Sequence, residues 1–512
     1  MSGGRVALGV VAVIAAGALL LSGGSGSDPK TPAGLPGLPP PFLGVAVLGD
    51  GGLTAAVDAY GNVVDLRAPG PAGRALIENS SARQAAGTVP EDTGIQTWVR
   101  VGGEMLPMWR ADSVRQRYMP GTNVLLTTAR FGSEEVRIEA AAKRETLAMK
   151  VAGSGAVGVR VNAALDCRRE KSPQAAVLVC GARSPGAPSL FRDAAEADRR
   201  WLARTDPLGG SAPPWAEHMY ERSLLVLHAL TDRRTGAVAA GARDGWAYVW
   251  PRDASAAAIA LAGAGYRPEA EQIAQFLLGA GIEQAARFNG DGSPVPGRAA
   301  QGDAIGWVAA AAEATGIIGS ARQAAHILAG GRPIPWRNRA DYWEGEPGDY
   351  LGNALASHAD VSEFSRHIWR ETSDTPLVGL VRVPGDPDSG LDSAAAWAVR
   401  PFSQPSLYPA AGRTMERLVA DGGRFGITPG EGWEGGGDPW SAPTAWTAWS
   451  LAALGERREA LRLMGDLRRA ATPAGALPER VDAETGIPTS ITPLAWSHAF
   501  AILALRELWP SG

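Results

Sequence analysis

The stretch Asp244–Ser255 reads D-G-W-A-Y-V-W-P-R-D-A-S and precedes an alanine-rich segment with helical character. It sets three aromatic residues directly before two adjacent charges: Trp246, Tyr248, Trp250, Arg252 and Asp253. Aromatic rings stack on a sugar face, while a guanidinium and a carboxylate exchange hydrogen bonds with neighbouring hydroxyl groups. The stretch therefore predicts either a saccharide pocket at a helix start or a core aromatic cluster with an aspartate near the positive helix end.

The chain from residue 215 to residue 512 has a helical period. One clear face is formed by Ala460, Leu463, Met464 and Leu467, which follow the i, i+3, i+4, i+7 spacing. Six helix pairs over this range predict an all-α toroid whose long loops carry function. The spacing predicts about twelve helices, at 215–231, 253–265, 267–284, 301–316, 319–330, 348–358, 360–373, 391–399, 408–421, 441–454, 456–471 and 493–508.

Long loops before alternate helices of this pattern hold most of the unusual polar and aromatic residues. If the toroid closes, these side chains converge on one cavity, and convergence of carboxylates with tryptophans is typical of glycosidases. The candidates in chain order are Trp250, Arg252, Asp253, Arg298, Gln301, Asp303, Tyr342, Trp343, Glu344, Glu346, Asp386, Asp388, Asp392, Glu431, Trp433, Glu434, Asp438, Trp440, Glu479, Asp482 and Glu484.

Residues 43–190 have the pattern of a β domain. Short apolar alternations such as Thr97–Val101 and Val157–Val161 are separated by glycine-rich turns. Several such strands without intervening helices predict an antiparallel β-sandwich. A short helix at 193–203 and a Gly/Pro-containing segment at 205–214 predict a linker over 191–214.

Residues 1–42 have the pattern of an export segment and spacer. The sixteen residues Val6–Leu21 are apolar or small, follow a single Arg5, and lead to a proline-rich run that extends to Phe42. A helix of that length reaches about 24 Å against a hydrocarbon core about 30 Å thick, so a cleaved signal and a membrane anchor both remain open. Either one predicts an extracytoplasmic chain, with Pro36–Pro41 as a stiff stalk.

The two cysteines, Cys167 and Cys180, lie on either side of a predicted hairpin. In an oxidising compartment they are expected to form a disulfide.

Composition argues against several classes of partner. The formal net charge is −4 and the basic residues form no long run, which argues against nucleic acid. The six histidines include no H-x-x-H or H-E-x-x-H arrangement, and phosphate-binding loops of the Walker or dinucleotide type are missing. The sequence therefore predicts no metal site and no cofactor.

Four motifs in order carry a family resemblance: Y-V-W-P-R-D-A at Tyr248–Ala254, D-Y-W-E at Asp341–Glu344, L-P-E-R-V-D-A-E-T-G-I-P from Leu477, and P-L-A-W-S-H-A at Pro493–Ala499. Together they resemble glycoside hydrolase family 15, which contains the glucoamylases. The stretches from Leu48 and at Thr122–Thr127 are similar to bacterial members of the family, which place a β-supersandwich before an (α/α)6 barrel.

The resemblance implies hydrolysis of α-glucosidic bonds in an oligo- or polysaccharide from the non-reducing end, with inversion and without a cofactor. It makes Glu344 the general acid and Glu479 the general base, with carboxyl groups about 6.5–9.5 Å apart. The acid is expected to keep its proton through burial against Tyr342 or Trp343. The residues expected to bind substrate are Tyr248, Trp250, Arg252, Asp253, Arg298, Gln301, Asp303, Trp343, Trp433 and Trp440.

One departure from the family pattern and two alternative functions remain open. The family commonly has a second glutamate directly after the acid, whereas here Gly345 stands between Glu344 and Glu346, so Glu346 is a second candidate acid. A trehalase or another α-glucosidase would share most of these residues. A surface protein that binds carbohydrate without turning it over is the alternative from a different class.

Overall fold

The computed structural model describes residues 30–77, 79–154, 157–170, 175–181, 187–370 and 373–511. The predicted export run Val6–Leu21 lies outside the described residues. Among the residues described, no helix is both long enough and apolar enough to cross a membrane.

The described residues of the first half of the chain form two antiparallel sheets and two α-helices. The helices are α1 (Ser81–Ala86) and α2 (Ala187–Leu202). The strands are β1 (Gly44–Leu48), β2 (Thr54–Asp58), β3 (Val63–Ala68), β4 (Arg74–Ala75), β5 (Gly94–Val101), β6 (Glu104–Pro107), β7 (Ser113–Tyr118), β8 (Leu125–Phe131), β9 (Glu134–Lys143), β10 (Thr146–Gly153), β11 (Val157–Asn162), β12 (Cys167–Glu170) and β13 (Ala175–Cys180). A short 3-10 helix covers Met108–Arg110.

The two sheets pack face to face. One has the order β1-β2-β3-β5-β11, with β4 on β3 and β6 on β5, and the other has the order β12-β13-β10-β9-β8-β7. Strand β8 alternates buried and more exposed residues, as expected for a strand with one face in the core. The apolar core is continuous from both sheets into the helical half. The predicted antiparallel sandwich is confirmed.

Two segments predicted to connect or space the domains lie against the sandwich instead. Helix α2 buries Leu190, Phe191 and Ala194 on the outer face of the second sheet. The predicted stalk is also held: the Leu35 amide donates to the hydroxyl of Tyr60, and the buried Phe42 amide donates to Asp58. The carbonyl of Pro39, within 36–41, also accepts a hydrogen bond from the Tyr60 hydroxyl at 3.2 Å, so this segment lies against the sandwich.

Cys167 and Cys180 are opposite one another on β12 and β13 and form a disulfide. The predicted pairing is confirmed. The bond fastens β12, which lies at the edge of its sheet, to its neighbour.

The second half contains ten α-helices among the described residues. They are α3 (Pro214–Leu230), α4 (Pro251–Gly263), α5 (Arg267–Gly279), α6 (Ala304–Ala314), α7 (Ala321–Leu328), α8 (Leu351–Ala356), α9 (Tyr408–Asp421), α10 (Ser441–Ala453), α11 (Arg457–Ala470) and α12 (Ala495–Leu508). Short 3-10 helices cover Ser362–Phe364, Ser393–Ala398 and Pro405–Leu407.

Six helical elements close an inner ring. In order around the ring they are α4, α6, α8, the 3-10 helix Ser393–Ala398, α10 and α12, and α12 packs against α4. These helices are apolar nearly all round, as expected for elements buried on every side; every residue of α6 from Ala304 to Ala312 is buried. Edge-to-face contacts among Trp307, Trp397, Trp446 and Phe500 join four of the six elements at the centre.

Five helices and a small sheet form the outer layer. Helices α3, α5, α7, α9 and α11 each precede an inner element. The fourth outer position instead holds a three-stranded antiparallel sheet of β14 (Ser365–Arg370), β15 (Ser373–Val383) and β16 (Asp386–Leu391). The predicted helix at 360–373 is therefore wrong, and the one at 391–399 is a 3-10 helix of six residues.

The ring confirms the predicted toroid and fixes where its loops meet. Because every inner element follows an outer one, the six inner elements run in the same direction. The loops that enter them therefore gather at one end of the ring, and these loops hold the candidate residues.

Candidate active site

Glu479 enters the site from the loop before α12. Its carboxylate accepts a hydrogen bond from the indole Nε1 of Trp246 at 3.3 Å and another from the hydroxyl of Ser490. The guanidinium of Arg243 lies 4.9 Å from the centre of the Trp246 ring. Burial lowers the pKa of Arg243 to about 10, while the charge of Glu479 acts in the opposite direction. Glu479 is thus a half-buried carboxylate that two donors hold in one orientation.

Glu344 lies in the loop before α8 and is held by three donors. The indole Nε1 of Trp250 donates to it at 2.7 Å and the amide of Gln301 at 3.5 Å, and Arg298 contacts its other oxygen. The expected contact with Tyr342 is absent from this set, since that hydroxyl bonds instead to Asp392 at 2.7 Å. Of the two residues expected to bury the acid, Tyr342 or Trp343, Tyr342 points into the ring core, where its ring contacts Trp397 and Trp446.

The backbone at Glu344 is unusual. Its φ is +58°, in the left-handed region that side chains other than glycine rarely adopt. Its amide donates to the carbonyl of Asp341 at 2.9 Å, which closes a tight turn. Strained residues of this kind persist where the surroundings over-determine them. Glu346, the alternative acid, is exposed at the loop surface and away from these donors.

Arg252, Asp253 and Asp303 form a buried charged floor, each less than a twentieth exposed. Arg252 donates to Gln301 and Asp303, both at 2.9 Å, and lies 3.6 Å from Asp253. Burial raises the pKa of Asp253 to about 7 against the pull of Arg252. One oxygen of Asp253 has no hydrogen-bond partner in the described part of the chain. A buried acceptor of this kind is suited to a hydroxyl donor.

A row of indoles connects the loop of Glu344 to that of Glu479. Trp343 contacts Trp433 with ring centres 5.1 Å apart, and Trp433 contacts Trp440 at 5.2 Å, both edge to face. Trp440 is bridged to Arg480, next to Glu479. None of the three indole N–H groups has a protein acceptor among the described residues. The row can offer apolar faces to a sugar.

Tyr248 lies at the margin of this arrangement. Its ring is half-buried, 6.4 Å from that of Trp250, and the guanidinium of Arg287 lies 4.7 Å from its centre. Residues of the first, second and third long loops meet at Glu344, which accepts from Trp250, Arg298 and Gln301. Of the other loop carboxylates, Asp386, Asp388, Glu434 and Glu484 are exposed, and Glu431 pairs with Arg366. These are not part of the cluster.

Sequence reasoning missed several residues that hold the carboxylates. The sequence marks Trp246 as an aromatic residue but not as the donor to Glu479. Its spacing of two residues from Tyr248 and of four from Trp250 is the feature that could have indicated that the three side chains line one site. Arg243 and Ser490 carried no signal of their own. Nor did Arg382, which forms a two-pronged ion pair with Asp341 at 2.9–3.1 Å.

The loop that carries these aromatics is also tied to the sandwich. The Asp244 amide donates to the buried carboxylate of Asp65 on β3 at 3.1 Å. Asp65 in turn pairs with Arg67, and burial raises the pKa of Asp65 to about 6. The β domain therefore contributes to the shape of the site without entering it.

Cavity size alone does not mark this site. A cavity of about 1190 Å³ lies between the second sheet and the loops near Thr472 and Thr485, and one of about 500 Å³ opens beside Arg298. Neither is lined by Glu344 or Glu479. Among the described residues no group of His, Cys, Asp and Glu is arranged to hold a metal ion.

Comparisons with known proteins agree with this architecture. A bacterial glucoamylase solved in complex with acarbose matches over 95% of this chain and 96% of its own, with TM-score 0.70 and 12% identity. A glycosidase structure at 20% identity covers 60% of this chain and 98% of its own with TM-score 0.48. The glucoamylase of Saccharomycopsis fibuligera, at 13% identity, covers 59% and 97% with TM-score 0.46.

The sequence comparison matches a shorter part of the chain than the structural comparison does. No curated protein matches the chain by sequence. The family model described as Glycosyl hydrolases family 15 matches residues 214–285, which hold α3, α4, α5 and the stretch Asp244–Ser255. The predicted resemblance is confirmed: the chain has the fold of the bacterial glucoamylase, and residues 214–285 carry the sequence pattern of glycosyl hydrolases family 15.

Proposed function

We propose that the chain is an inverting glycoside hydrolase of glucoamylase type that releases glucose from the non-reducing end of α-glucans. One observation carries the proposal. Two indoles of the single segment 246–250 each donate to one of two carboxylates, Trp246 to Glu479 and Trp250 to Glu344. A shared aromatic wall with a carboxylate at each end matches the need of a reaction that uses an acid and a base on one sugar.

The proposed step needs both carboxyl groups. Glu479 takes a proton from water as the water oxygen attacks the anomeric carbon. The bond from that carbon to the glycosidic oxygen breaks, and Glu344 gives its proton to the departing oxygen. Arg298 interacts with both carboxylates. It contacts Glu344 directly. Burial lowers the pKa of Arg298, and the charge of Glu479 acts in the opposite direction.

The substrate contacts follow from the same geometry. The Oδ2 atom of Asp253, which has no hydrogen-bond partner among the described residues, accepts from a hydroxyl of the terminal glucose. Arg252, 3.6 Å from this atom, keeps the carboxylate in place. The indole row of Trp343, Trp433 and Trp440 lines the adjoining part of the cleft. Acarbose, the compound present in the bacterial glucoamylase structure, is expected to bind here.

Glucose release from maltotetraose, isomaltotriose, dextran and trehalose tests the proposal and separates a glucoamylase from a trehalase. Glu344→Gln and Glu479→Gln should each lower kcat by about 10²–10⁴, the usual value of acid or base assistance. Glu346→Gln is the matched control and should leave kcat within about twofold, because that side chain is exposed. Saccharide binding without release of glucose from any of the four would support the carbohydrate-binding alternative.

We also propose an extracytoplasmic location. The disulfide between Cys167 and Cys180 supports it, because such bonds persist in oxidising compartments. The apolar run Val6–Leu21 supports it as well. Cell fractionation of the expressed full chain tests this location, and recovery of the protein from the cytoplasm alone would contradict it.

A further inference from the structure

The three-stranded sheet reaches the loop of Glu344 through one side chain. Arg382 is near the end of β15, and its Nε and Nη2 atoms donate to both carboxylate oxygens of Asp341. Both side chains are largely buried, with 15% of Arg382 and 2% of Asp341 exposed. A planar guanidinium fork fixes a carboxylate in orientation as well as in position.

The same guanidinium is stacked on the residues around the acid. Its central carbon lies 3.9 Å from the ring centre of Trp343 and 4.2 Å from that of Tyr350. These rings are on either side of Glu344 in the sequence. Arg382 therefore contacts the loop that carries Glu344 through one ion pair and two aromatic rings.

Asp341 links Arg382 to Glu344 through hydrogen bonds. Its side chain accepts from the Trp343 amide at 3.1 Å, and its carbonyl accepts from the Glu344 amide at 2.9 Å. The carbonyl also accepts from Gln301, which donates to Glu344 as well. The turn holds Glu344 at its positive φ, a conformation that a free loop would leave.

We propose that Arg382 is a positioning residue for the general acid, which holds the Asp341–Glu344 turn in the geometry that aims the Glu344 carboxyl at the leaving oxygen. This inference rests on the proposed function. It gives the sheet that replaces an outer helix a role in the reaction, since β15 supplies the side chain. Arg382 acts through Asp341 and does not itself take part in proton transfer.

Misplacement of the acid has a specific chemical signature. A sugar leaving group needs a proton as it departs, whereas fluoride leaves with far less help from an acid. Loss of acid alignment should slow maltotetraose hydrolysis strongly and α-D-glucosyl fluoride hydrolysis weakly. General disruption of the fold would slow both to the same extent.

The test compares Arg382→Lys with the wild-type enzyme on both substrates, because lysine keeps the charge and loses the fork. We expect kcat on maltotetraose to fall about 50-fold with KM little changed, and kcat on the fluoride to change by less than about threefold. Arg366→Lys is the matched control. Arg366 lies on β14 of the same sheet and pairs with Glu431, so both rates should stay within about twofold.

Equal losses on the two substrates, or no loss on maltotetraose, would overturn the inference. If Arg382→Lys does not fold, Asp341→Asn decides in the same way, since asparagine can still accept from the Trp343 amide but pairs poorly with the guanidinium. A wild-type chain that hydrolyses neither substrate would contradict the proposed function itself, which keeps the two failures distinct.

Discussion

At the scale of single residues, the two carboxylates are distinguished by the loops that hold them. Glu344 accepts hydrogen bonds from three side chains and Glu479 from two. Glu344 has the strained backbone and the guanidinium contact of Arg298, and Glu479 has an indole and a hydroxyl.

Trp246→Phe tests the contact that holds the base. Phenylalanine keeps the aromatic surface and removes the donor to Glu479, so kcat/KM should fall about tenfold. Trp215→Phe is the control, because that indole packs edge to face against Trp509, outside the loops that hold the two carboxylates. A kcat/KM within about twofold of wild type for Trp246→Phe would show that Trp246 does not support the base.

At this scale the motifs predicted much of the site. Arg252, Asp253, Glu344 and Glu479 were found because contiguous patterns carry them. The residues that orient them were not, because Arg243, Arg382 and Ser490 come from other elements and acquire their role only when the ring closes. Their local sequence contains no feature that distinguishes them from the other arginines and serines of the chain.

At the scale of elements, the exchange of a helix for a sheet is the main difference from prediction. Val361, Phe364 and Ile368 have helical spacing, which favoured a helix at 360–373. The run L-V-G-L-V-R-V at 377–383 is rich in valine and leucine, and its pairing with β14 places Ile368 opposite Leu377. Pairing between the two strands decided the structure of both segments, and the helical spacing of Val361, Phe364 and Ile368 does not reveal that pairing.

The disulfide allows a prediction at the same scale. It closes a sequence separation of 13 residues at the edge strand β12, so the double variant Cys167→Ser/Cys180→Ser should lose about 3 kcal/mol of unfolding free energy in the sandwich. Chemical denaturation measures this loss, and wild type treated with reductant should match the variant. Glucose release at 25 °C should be unchanged, since β12 and β13 contribute no side chain to the site described. An unfolding free energy within about 0.5 kcal/mol of wild type would contradict the estimate.

At the scale of the whole molecule, several buried carboxyl groups give stability a definite pH dependence. Burial raises the pKa values of Asp198, Asp253 and Asp392 to about 7. Each binds a proton more tightly in the folded chain than in the unfolded one, so its contribution is complete at low pH and is lost as the pH rises through 7. His228 and His498 have pKa values lowered to about 4 and 3, and they oppose this trend only below about pH 6.5.

Calorimetry between pH 6.5 and 8 isolates the carboxyl contribution. We expect Tm to fall by a few degrees over this range, with a loss of about 1 kcal/mol for each of the three groups. Asp198→Asn should reduce the difference without affecting turnover, because asparagine can still accept from the Asn123 amide on the outer face of the sandwich. A Tm that stays constant or rises over this range would show that these groups are ionised when buried.

The β domain and the helical ring are joined by a contact between residues that are distant in sequence. The sandwich was predicted from its strands and the toroid from its helices, but the contact between Asp65 and the Asp244 amide that joins them was not. A contact between residues so distant in sequence depends on both folds at once. It ties the β domain to the loop that carries Trp246 and Trp250, and so to both carboxylates.

The stereochemistry of the released sugar tests whether the chain is an inverting hydrolase. Proton NMR of the enzyme mixed with maltotetraose follows the anomeric signals during the first minutes. We predict that β-glucose appears first and that α-glucose follows only by mutarotation, because water attacks from the face opposite the leaving group. Release of α-glucose first would show retention of configuration, which a Glu344 acid and a Glu479 base acting on water cannot produce.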